Sequence, residues 1–396
     1  MIELVILLSF FLAIFLGRLI IPGIILVSFR KRLFDIPDSR KKHIGIIPRL
    51  GGFAFLPVQL CLFTFFIVLL EYFVPDKIHP LLGVHHRSFL LLFCALVILF
   101  MVGVVDDLIG MSYKRKFLAQ LIAACLMPLG GIWINNLYGI AKIVEVSPLV
   151  GIPLTIFGIL LIVNAVNLID GLDGLCSGLV ATGCITMGLL FLYHEAYLFA
   201  LFALITAGVL FPFFYYNVFG TNRRRHRIFM GDTGSLTLGY SLAFLSISYT
   251  MLNPTIKPFS EGAVVVAYST IFIPVMDVAT VMWWRLRNRR PLFHPDRNHI
   301  HHKMLRLGMN NHQAMISILL IAFFFGGMNV ILVNYISNNL VLAIDILLWV
   351  WMNVVIGYLN QKRSVEKKTQ AKEKQLLKEA KGKFSGSNAT SSILVE

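Results

Sequence analysis

Charged residues are scarce in this chain of 396 residues. Only 14% of the residues are Asp, Glu, Lys or Arg, and just 20 are acidic, whereas 57% are hydrophobic. A soluble globular domain carries about 25% charged residues, so the chain lacks the polar surface that such a domain needs. The mean hydropathy of +0.78 agrees with this. The composition excludes a soluble enzyme and a disordered chain, and it favours a protein that crosses a membrane many times.

Cysteine is rare, and the common nucleotide-binding and hydrolase signatures are missing. The five cysteines show no CxxC spacing and mostly lie in apolar segments, so they predict small core side chains rather than disulfides or zinc ligands. The sequence contains no GxxxxGK(S/T) motif, which excludes a P-loop, and no GxSxG motif.

Long apolar runs make up most of the chain. Crossing about 30 Å of hydrocarbon takes roughly 20 apolar residues in a helix. We therefore predict an all-α polytopic membrane protein with residues 1–360 as its integral membrane domain. The eleven predicted spans are 2–29, 51–74, 88–105, 117–135, 150–169, 179–194, 196–219, 234–252, 262–284, 314–334 and 340–359.

Basic residues are distributed unevenly between the two sides of this arrangement. All but five of the 35 Lys and Arg residues fall on one side, and the exceptions are Arg18, Lys77, Arg87, Lys142 and Lys257. Because Lys and Arg accumulate in cytoplasmic loops, the bias predicts a periplasmic N-terminus and a cytoplasmic C-terminus. The basic tail, residues 361–396, predicts a solvated helix or a disordered arm with no catalytic role.

Acidic residues gather at the predicted cytoplasmic ends of spans. Asp106, Asp107, Asp170, Asp173 and Asp232 each lie beside glycine or other small residues. Carboxylates are costly near hydrocarbon, so this convergence indicates a catalytic site. The adjacent pair Asp106-Asp107 could divide two roles, with one acid held by Mg²⁺ or a lysine and the other free as a base.

One segment spaces its polar residues regularly. Asn164, Asn167, Asp170 and Asp173 recur every three residues, which places them along one face if the helix continues that far. Carboxylate and amide oxygens are the ligands that Mg²⁺ prefers, with phosphates and water completing the shell. An ordinary turn with helix caps is the alternative. Three acid-glycine segments on one side favour a metal and phosphate site.

Histidines and cations crowd the late loop 285–313. The loop contains His294, His299, His301 and His302, together with Arg297 and Lys303. Zinc sites would want Cys or further His nearby, whereas grouped His, Arg and Lys suit phosphate oxygens. Lys42 and Arg49 in the loop 30–50 are weaker candidates, because positive charge on the cytoplasmic side also accounts for them.

Together these segments resemble one family, the polyprenyl-phosphate N-acetylhexosamine-1-phosphate transferases. Any one motif would be weak evidence, whereas five motifs in order are specific. The matching segments are Pro37-Asp-Ser-Arg-Lys-Lys-His43 with Pro48-Arg-Leu-Gly-Gly52, Gly103-Val-Val-Asp-Asp107, Asn164-Ala-Val-Asn-Leu-Ile-Asp-Gly-Leu-Asp-Gly174, Phe229-Met-Gly-Asp-Thr-Gly-Ser235 and His294-Pro-Asp-Arg-Asn-His-Ile-His-His302.

The resemblance implies an activity, a cofactor and partners. It implies transfer of N-acetylglucosamine-1-phosphate from UDP-N-acetylglucosamine to undecaprenyl phosphate in the bacterial inner membrane, with release of UMP. The product would start an O-antigen, common-antigen or teichoic-acid-type polymer. Mg²⁺ is the implied cofactor, with Mn²⁺ as a substitute. The implied partners are these substrates and the lipid bilayer, without nucleic acid, and a homodimer is compatible with the family.

Alternatives to this reaction stay open. The same chemistry could use another UDP-N-acetylhexosamine or the phospho-N-acetylmuramoyl-pentapeptide donor, although that branch carries a consecutive His triplet where this chain has His-Ile-His-His. A nucleotide-sugar transporter is more distant. Such proteins place charged sites near the bilayer midplane between repeats, whereas the polar groups here crowd one side and no repeat is visible.

The resemblance also implies roles for the motif residues. Asp173 would meet the uracil, Asp170 would line the nucleotide pocket, and Asp106 with Asp107 would activate the lipid phosphate or support the metal. Direct attack and a covalent aspartyl intermediate both stay open. The predicted metal ligands are Asp232 and Asn167. The predicted catalytic residues are Asp106, Asp107, Asp170, His301 and His302. The predicted substrate-binding residues are Asn164, Asp173, Lys42, Arg49, Arg297, His299 and Lys303.

Overall fold

The structure, a computed structural model, describes residues 1–33, 47–221, 226–291 and 298–390. Helices make up most of these residues. They are α1 (Ile2–Lys31), α2 (Phe55–Phe73) preceded by a 3₁₀ turn (Gly51–Ala54), α3 (Pro75–Ile109), α4 (Tyr113–Leu129), α5 (Pro148–Ile169), α6 (Leu175–Tyr193), α7 (Tyr197–Val218), α8 (Gly231–Thr250), α9 (Ala263–Arg287), α10 (Ile300–Arg306), α11 (Asn311–Leu332) and α12 (Asn338–Thr390).

The polytopic architecture is confirmed. Within the described ranges, nine helices are long and apolar enough to cross a membrane. The other two predicted spans correspond to α4 and α8. Helix α4 has only 17 residues and begins with a basic turn, while α8 is rich in Gly, Ser and Thr. The count of eleven spans and their orientation stay predictions.

Helix α8 is the centre of the bundle, and its small polar residues explain why. Every residue from Thr233 to Thr250 is buried. The hydroxyls of Thr237 and Ser241 donate to carbonyls one turn back, at 2.7 and 2.9 Å, so they need no water. Small residues let helices approach closely. At Gly103 of α3, a Cβ would lie 2.3 Å from the Cα of Thr233.

A small sheet corrects the all-α expectation. Strands β1 (Asn136–Ile140) and β2 (Ile143–Glu145) pair antiparallel between α4 and α5. Ala141 and Lys142 form the two-residue loop with φ of 52° and 66°. Two central residues with positive φ are typical of the hairpin turn that Asn-Gly or Asp-Gly usually forms. Because neither dipeptide occurs here, the sequence carried no signal for this hairpin.

Two helices extend beyond the predicted spans. Helix α3 begins at Pro75, well before the predicted start at residue 88. Helix α12 continues to Thr390, so the backbone of the basic tail is helical over most of its length. Helices α6 and α7 are separated by a turn in which Glu195 has φ of 59°.

Candidate active site

A polar cavity of about 320 Å³ lies where α5 ends and α8 begins. Several elements contribute to its wall, including the end of α3 and the start of α11. The predicted site residues that line it are Arg49, Asp107, Asn167, Asp170, Asp173 and Asp232. The structure therefore brings residues separated by up to 183 positions in the sequence to one cavity.

Backbone hydrogen bonds place Arg49 at this cavity. Phe229 N–H donates to the carbonyl of Pro48 at 2.8 Å, and Gly51 N–H donates to the carbonyl of Phe229 at 2.9 Å. The segment that carries Arg49 thus lies along the segment that leads into α8. Gly231 at the junction has φ of 76°, and a Cβ there would lie 2.2 Å from the Arg49 carbonyl oxygen. Only glycine fits this position.

The carboxylate of Asp107 holds the first turn of α8. Its Oδ1 accepts the N–H of Asp232 at 2.7 Å. Its Oδ2 accepts the N–H and the hydroxyl of Thr233 at 2.9 and 2.6 Å. The first N–H groups of a helix have no partner within the helix, so a carboxylate from α3 satisfies them. Asp107 therefore fixes the position of Asp232.

Lys116 bridges two carboxylates. Its Nζ lies 3.0 Å from Oδ2 of Asp106 and 2.5 Å from Oδ1 of Asp232. Burial opposes the charge of Asp232, but the Lys116 ammonium outweighs burial and holds the pKa of Asp232 below its ordinary value. Burial likewise opposes the charge of Lys116, and the two carboxylates outweigh it and raise its pKa. Asp232 and Lys116 are thus both charged at neutral pH.

Asn167 joins the same cluster from the last turn of α5. Its amide Nδ2 donates to Asp232 Oδ1 at 2.6 Å and to the Ser235 hydroxyl at 2.7 Å. Asp232, Asn167 and Ser235 all line the cavity. The cluster offers carboxylate and hydroxyl oxygens, which are hard ligands of the kind that Mg²⁺ takes, while Asn167 presents its amide nitrogen to both.

Two further acids follow α5 in the turn before α6. Asp173 forms an ion pair with Arg227 and lies within 3.5 Å of the amide of Asn217. Asp170 has a different environment. Burial, followed by repulsion from neighbouring carboxylates, raises the pKa of Asp170 well above its ordinary value, although Arg49 opposes the shift. Asp173 is thus paired with a cation, whereas Asp170 favours its protonated form.

The histidine segment, residues 299–302, contacts this turn through His301. A Cβ on Gly171 would lie 2.7 Å from His301 Nε2, so the imidazole lies directly against the turn. Burial, followed by the neighbouring His302 and His299, lowers the pKa of His301 to about 3. Its imidazole is therefore neutral at physiological pH. The His301 and His302 rings are 4.2 Å apart between centroids.

Several predicted residues take other partners. Asn164 donates to Gln120 Oε1 at 2.9 Å and to the Leu160 carbonyl at 2.7 Å. Lys303 Nζ lies 2.7 Å from Asn353 Oδ1 on α12. None of these groups, nor Asp106, His299, His301 or His302, is among the residues that line the cavity. Lys42, His294 and Arg297 lie outside the described residues.

The predicted polar stripe of α5 is wrong in its geometry. Helix α5 ends at Ile169, so Asp170 and Asp173 lie in the following turn. At 3.6 residues per turn, a spacing of three also rotates each residue by about 60° from the last. Asn164 therefore points toward α4, while Asn167 points toward α8.

The structure also adds residues that the sequence analysis did not name as catalytic, substrate-binding or metal-binding. They are Lys116, Asn217, Arg227, Ser235 and Asn311. Lys116 lies ten residues after Asp106 and Arg227 lies five residues before Asp232, so a search for cations near the acidic segments could have selected both.

The fold and the site together define a polytopic membrane protein with a cavity lined by carboxylates and amides at one end of its helices. Residues 89–250 match glycosyl transferase family 4. The undecaprenyl-phosphate alpha-N-acetylglucosaminyl 1-phosphate transferase of Escherichia coli (strain K12) is 32% identical over 300 residues, 75% of each chain. The probable undecaprenyl-phosphate N-acetylglucosaminyl 1-phosphate transferase of Bacillus subtilis (strain 168) is 30% identical over 359 residues, 89% of this chain and 93% of the relative.

This chain belongs to glycosyl transferase family 4. The family resemblance drawn from the five motifs is thereby confirmed. The relatives are bacterial, and the helices fit a multi-pass protein of the bacterial inner membrane.

Proposed function

We propose that the chain transfers N-acetylglucosamine-1-phosphate from UDP-N-acetylglucosamine to undecaprenyl phosphate and releases UMP. The observation that carries this proposal is the pair Asp232 and Asn167 at the cavity wall, with Lys116 hydrogen-bonded to Asp232. It combines metal-type oxygen ligands with a buried ammonium, as a diphosphate-handling site needs. The names of the relatives support the donor and the acceptor.

In the proposed reaction, an oxygen of the lipid phosphate attacks the β-phosphorus of the UDP-sugar. The bond between the β-phosphorus and the bridging oxygen breaks, and UMP leaves with the electron pair. A phosphate monoester has its second pKa near about 6, so the lipid phosphate is already nucleophilic at neutral pH. The reaction therefore does not require Asp107 as a general base. Both oxygens of Asp107 already accept hydrogen bonds from α8.

Charge neutralisation is the main task of the residues around the diphosphate. Two phosphates repel each other as they approach, and preorganised cations reduce that repulsion. Arg49 supplies positive charge at the cavity, Lys116 supplies it beside Asp232, and neutral His301 offers an imidazole beside the turn that holds Asp170. The transferred phosphate would lie between these groups.

Mg²⁺ would be held by Asp232 and, once its amide has rotated to turn the oxygen instead of Nδ2 toward the cluster, by Asn167. Among the described residues, no group of three His, Cys, Asp or Glu side chains is placed to hold a metal. A pair is compatible with Mg²⁺, which is commonly bound through one or two carboxylates with substrate phosphates and water. When bound, the ion would neutralise charge on the diphosphate, and Mn²⁺ could substitute for it.

The uridine would lie at the end of the cavity formed by the turn after α5. Asp173 is held there by Arg227, and the guanidinium of Arg227 lies 5.7 Å from the ring centroid of Phe229. A carboxylate in a fixed position can accept a hydrogen bond from a base N–H, and an aromatic ring offers a stacking face. These features support a nucleotide donor.

The proposal is tested by product identification. Purified protein in detergent receives undecaprenyl phosphate, Mg²⁺ and, in separate reactions, UDP-N-acetylglucosamine, UDP-N-acetylgalactosamine or UDP-N-acetylmuramoyl-pentapeptide. We expect UMP and a lipid whose mass has increased by N-acetylglucosamine phosphate with the first donor. A lipid product with one of the other donors would reassign the sugar. No lipid product with any donor, together with labelled donor crossing liposomes unchanged, would favour a transporter.

A further inference from the structure

Asp277, inside α9, contacts the histidine segment from outside the cavity. We propose that Asp277 is a positioning residue that fixes the imidazole of His299 and the start of α10, and through them the place of His301 against Gly171, which lines the cavity. This inference rests on the proposed function, because its readout is the transfer reaction.

Both oxygens of Asp277 bind the histidine segment. Oδ2 lies 2.8 Å from His299 Nδ1, and Oδ1 accepts the N–H of Ile300 at 2.7 Å. Asp277 is 1% exposed and His299 is 6% exposed, so water does not compete for either hydrogen bond. Helix α10 has only seven residues, too few to be stable alone. Its position therefore depends on contacts such as this one.

The carboxylate also selects one tautomer of His299. A carboxylate accepts hydrogen bonds, so Nδ1 of His299 carries the proton and donates it to Asp277. Nε2 of His299 is then the unprotonated nitrogen, which can accept a hydrogen bond. Where a carboxylate orients a metal-ligating histidine in this way, its removal typically costs about 10- to 100-fold in affinity or activity, and we expect the same range for His299.

The effect of Asp277 passes from His299 to His301 by packing. The two rings are parallel to within 5°, with centroids 5.9 Å apart. Among the described residues, His301 Nδ1 is buried without a hydrogen-bond partner, so no hydrogen bond at that atom fixes the ring. His301 Nε2 faces Gly171 in the turn after α5. A shift of His299 would therefore move the imidazole that contacts the cavity turn.

The middle of α10 is held independently of Asp277. Lys303 Nζ lies 2.7 Å from Asn353 Oδ1, and Asn360 Nδ2 donates to the Lys303 carbonyl at 3.2 Å, both from α12. Loss of Asp277 is therefore expected to disturb the start of α10 while Lys303 stays attached to α12. This makes a folded variant with a displaced or reversed His299 a realistic outcome.

The test replaces Asp277 with Asn. Asn Oδ1 can still accept from Ile300 N–H, but its NH₂ faces His299 Nδ1 and favours the opposite tautomer. We expect kcat/KM for UMP release to fall about 10- to 100-fold, with a melting temperature close to wild type. In NMR spectra of ¹⁵N-histidine-labelled protein, the His299 signal is identified as the one that disappears in His299→Gln. In Asp277→Asn, this signal should change from the Nδ1-protonated to the Nε2-protonated form.

A matched control and a double variant complete the experiment. Asp345→Asn makes the same change at another buried acid inside a span, which is bonded to Asn329 and not to α10; we expect activity near wild type. The double variant, Asp277→Asn with His299→Gln, should have the same kcat/KM as His299→Gln alone. Should Asp277→Asn fail to fold, Asp277→Glu, which retains the carboxylate, should keep the wild-type tautomer signal and most activity, and loss of both would overturn the proposal.

The remaining outcomes separate the two proposals. Wild-type kcat/KM in Asp277→Asn, an unchanged tautomer signal, or losses that add to those of His299→Gln would each overturn the positioning role while wild-type transfer still stands. Absence of transfer by the wild-type protein would instead overturn the proposed function.

Discussion

Replacing Asp107 with Asn should disturb the first turn of α8 and, with it, Asp232. The carboxylate accepts three hydrogen bonds, from the N–H of Asp232 and from the N–H and hydroxyl of Thr233. An amide has one acceptor oxygen, and its NH₂ would face at least one of these donors. Because hydrogen bonds to charged groups contribute about 1.5–3 kcal/mol, the loss of one corresponds to roughly 10- to 150-fold.

We expect UMP release by Asp107→Asn to fall by that factor at saturating substrates, measured as initial rates alongside the melting temperature in detergent. Thr233→Val is the matched comparison, since it removes only the hydroxyl and leaves both backbone bonds to Asp107. A neutral hydrogen bond contributes about 1 kcal/mol, so a loss of roughly fivefold is expected.

The pH dependence decides how Asp107 acts. A positioning carboxylate predicts a deficit that stays constant from about pH 7.5 to about pH 9, where the wild-type side chain is ionised. A general base predicts that Asp107→Asn recovers as the pH rises and the lipid phosphate loses its own second proton near about pH 6. Wild-type rates in Asp107→Asn, or recovery at high pH, would refute the positioning role.

Lys116→Met removes the ammonium beside Asp232. We expect UMP release to fall by about 100-fold or more, with Lys116→Arg retaining more activity; an unaffected rate in the Met variant would contradict this. Gly171→Ala places a Cβ 2.7 Å from His301 Nε2. It should lower kcat/KM in the wild type but not in a His301→Ala background, and additive losses would exclude the contact. The raised pKa of Asp170 means that the folded chain keeps a proton that the unfolded chain releases at lower pH. Without metal, the melting temperature should therefore fall as pH rises through that raised pKa, and Asp170→Asn should flatten the slope, whereas equal slopes would argue against burial of the charge.

Much of the fold and of the site is predictable here because charge is scarce. Apolar runs of about 20 residues have few interpretations, so the helices follow directly. An acid at the end of such a run stands out, and Asp107, Asp170, Asp173 and Asp232 all line one cavity. The glycines beside these acids are explained by the close approach of Gly103 to α8 and by the backbone at Gly231.

Residues whose role depends on packing could not be predicted in the same way. In the sequence, Lys116 is one of many basic residues that the predicted cytoplasmic side already explains. Only the packing of α4 beside α3 brings it to Asp232. The hydrogen bonds that Asp107 accepts from Asp232 and Thr233 require the end of α3 to contact the start of α8. Lys303 was expected at the phosphates because it follows the histidines, but α12 lies within reach of its Nζ. Sequence position alone carries no information on these contacts.

The measurement that tests the central claim most directly follows the β-phosphorus of the donor. Purified protein receives UDP-N-acetylglucosamine radiolabelled at the β-phosphate, with undecaprenyl phosphate and Mg²⁺. We predict that the label enters the lipid phase while UMP leaves unlabelled, and that folded Asp232→Asn transfers almost none. Label that remains in water-soluble products, or equal transfer by Asp232→Asn, would contradict the assignment of this cavity as the site of sugar-phosphate transfer.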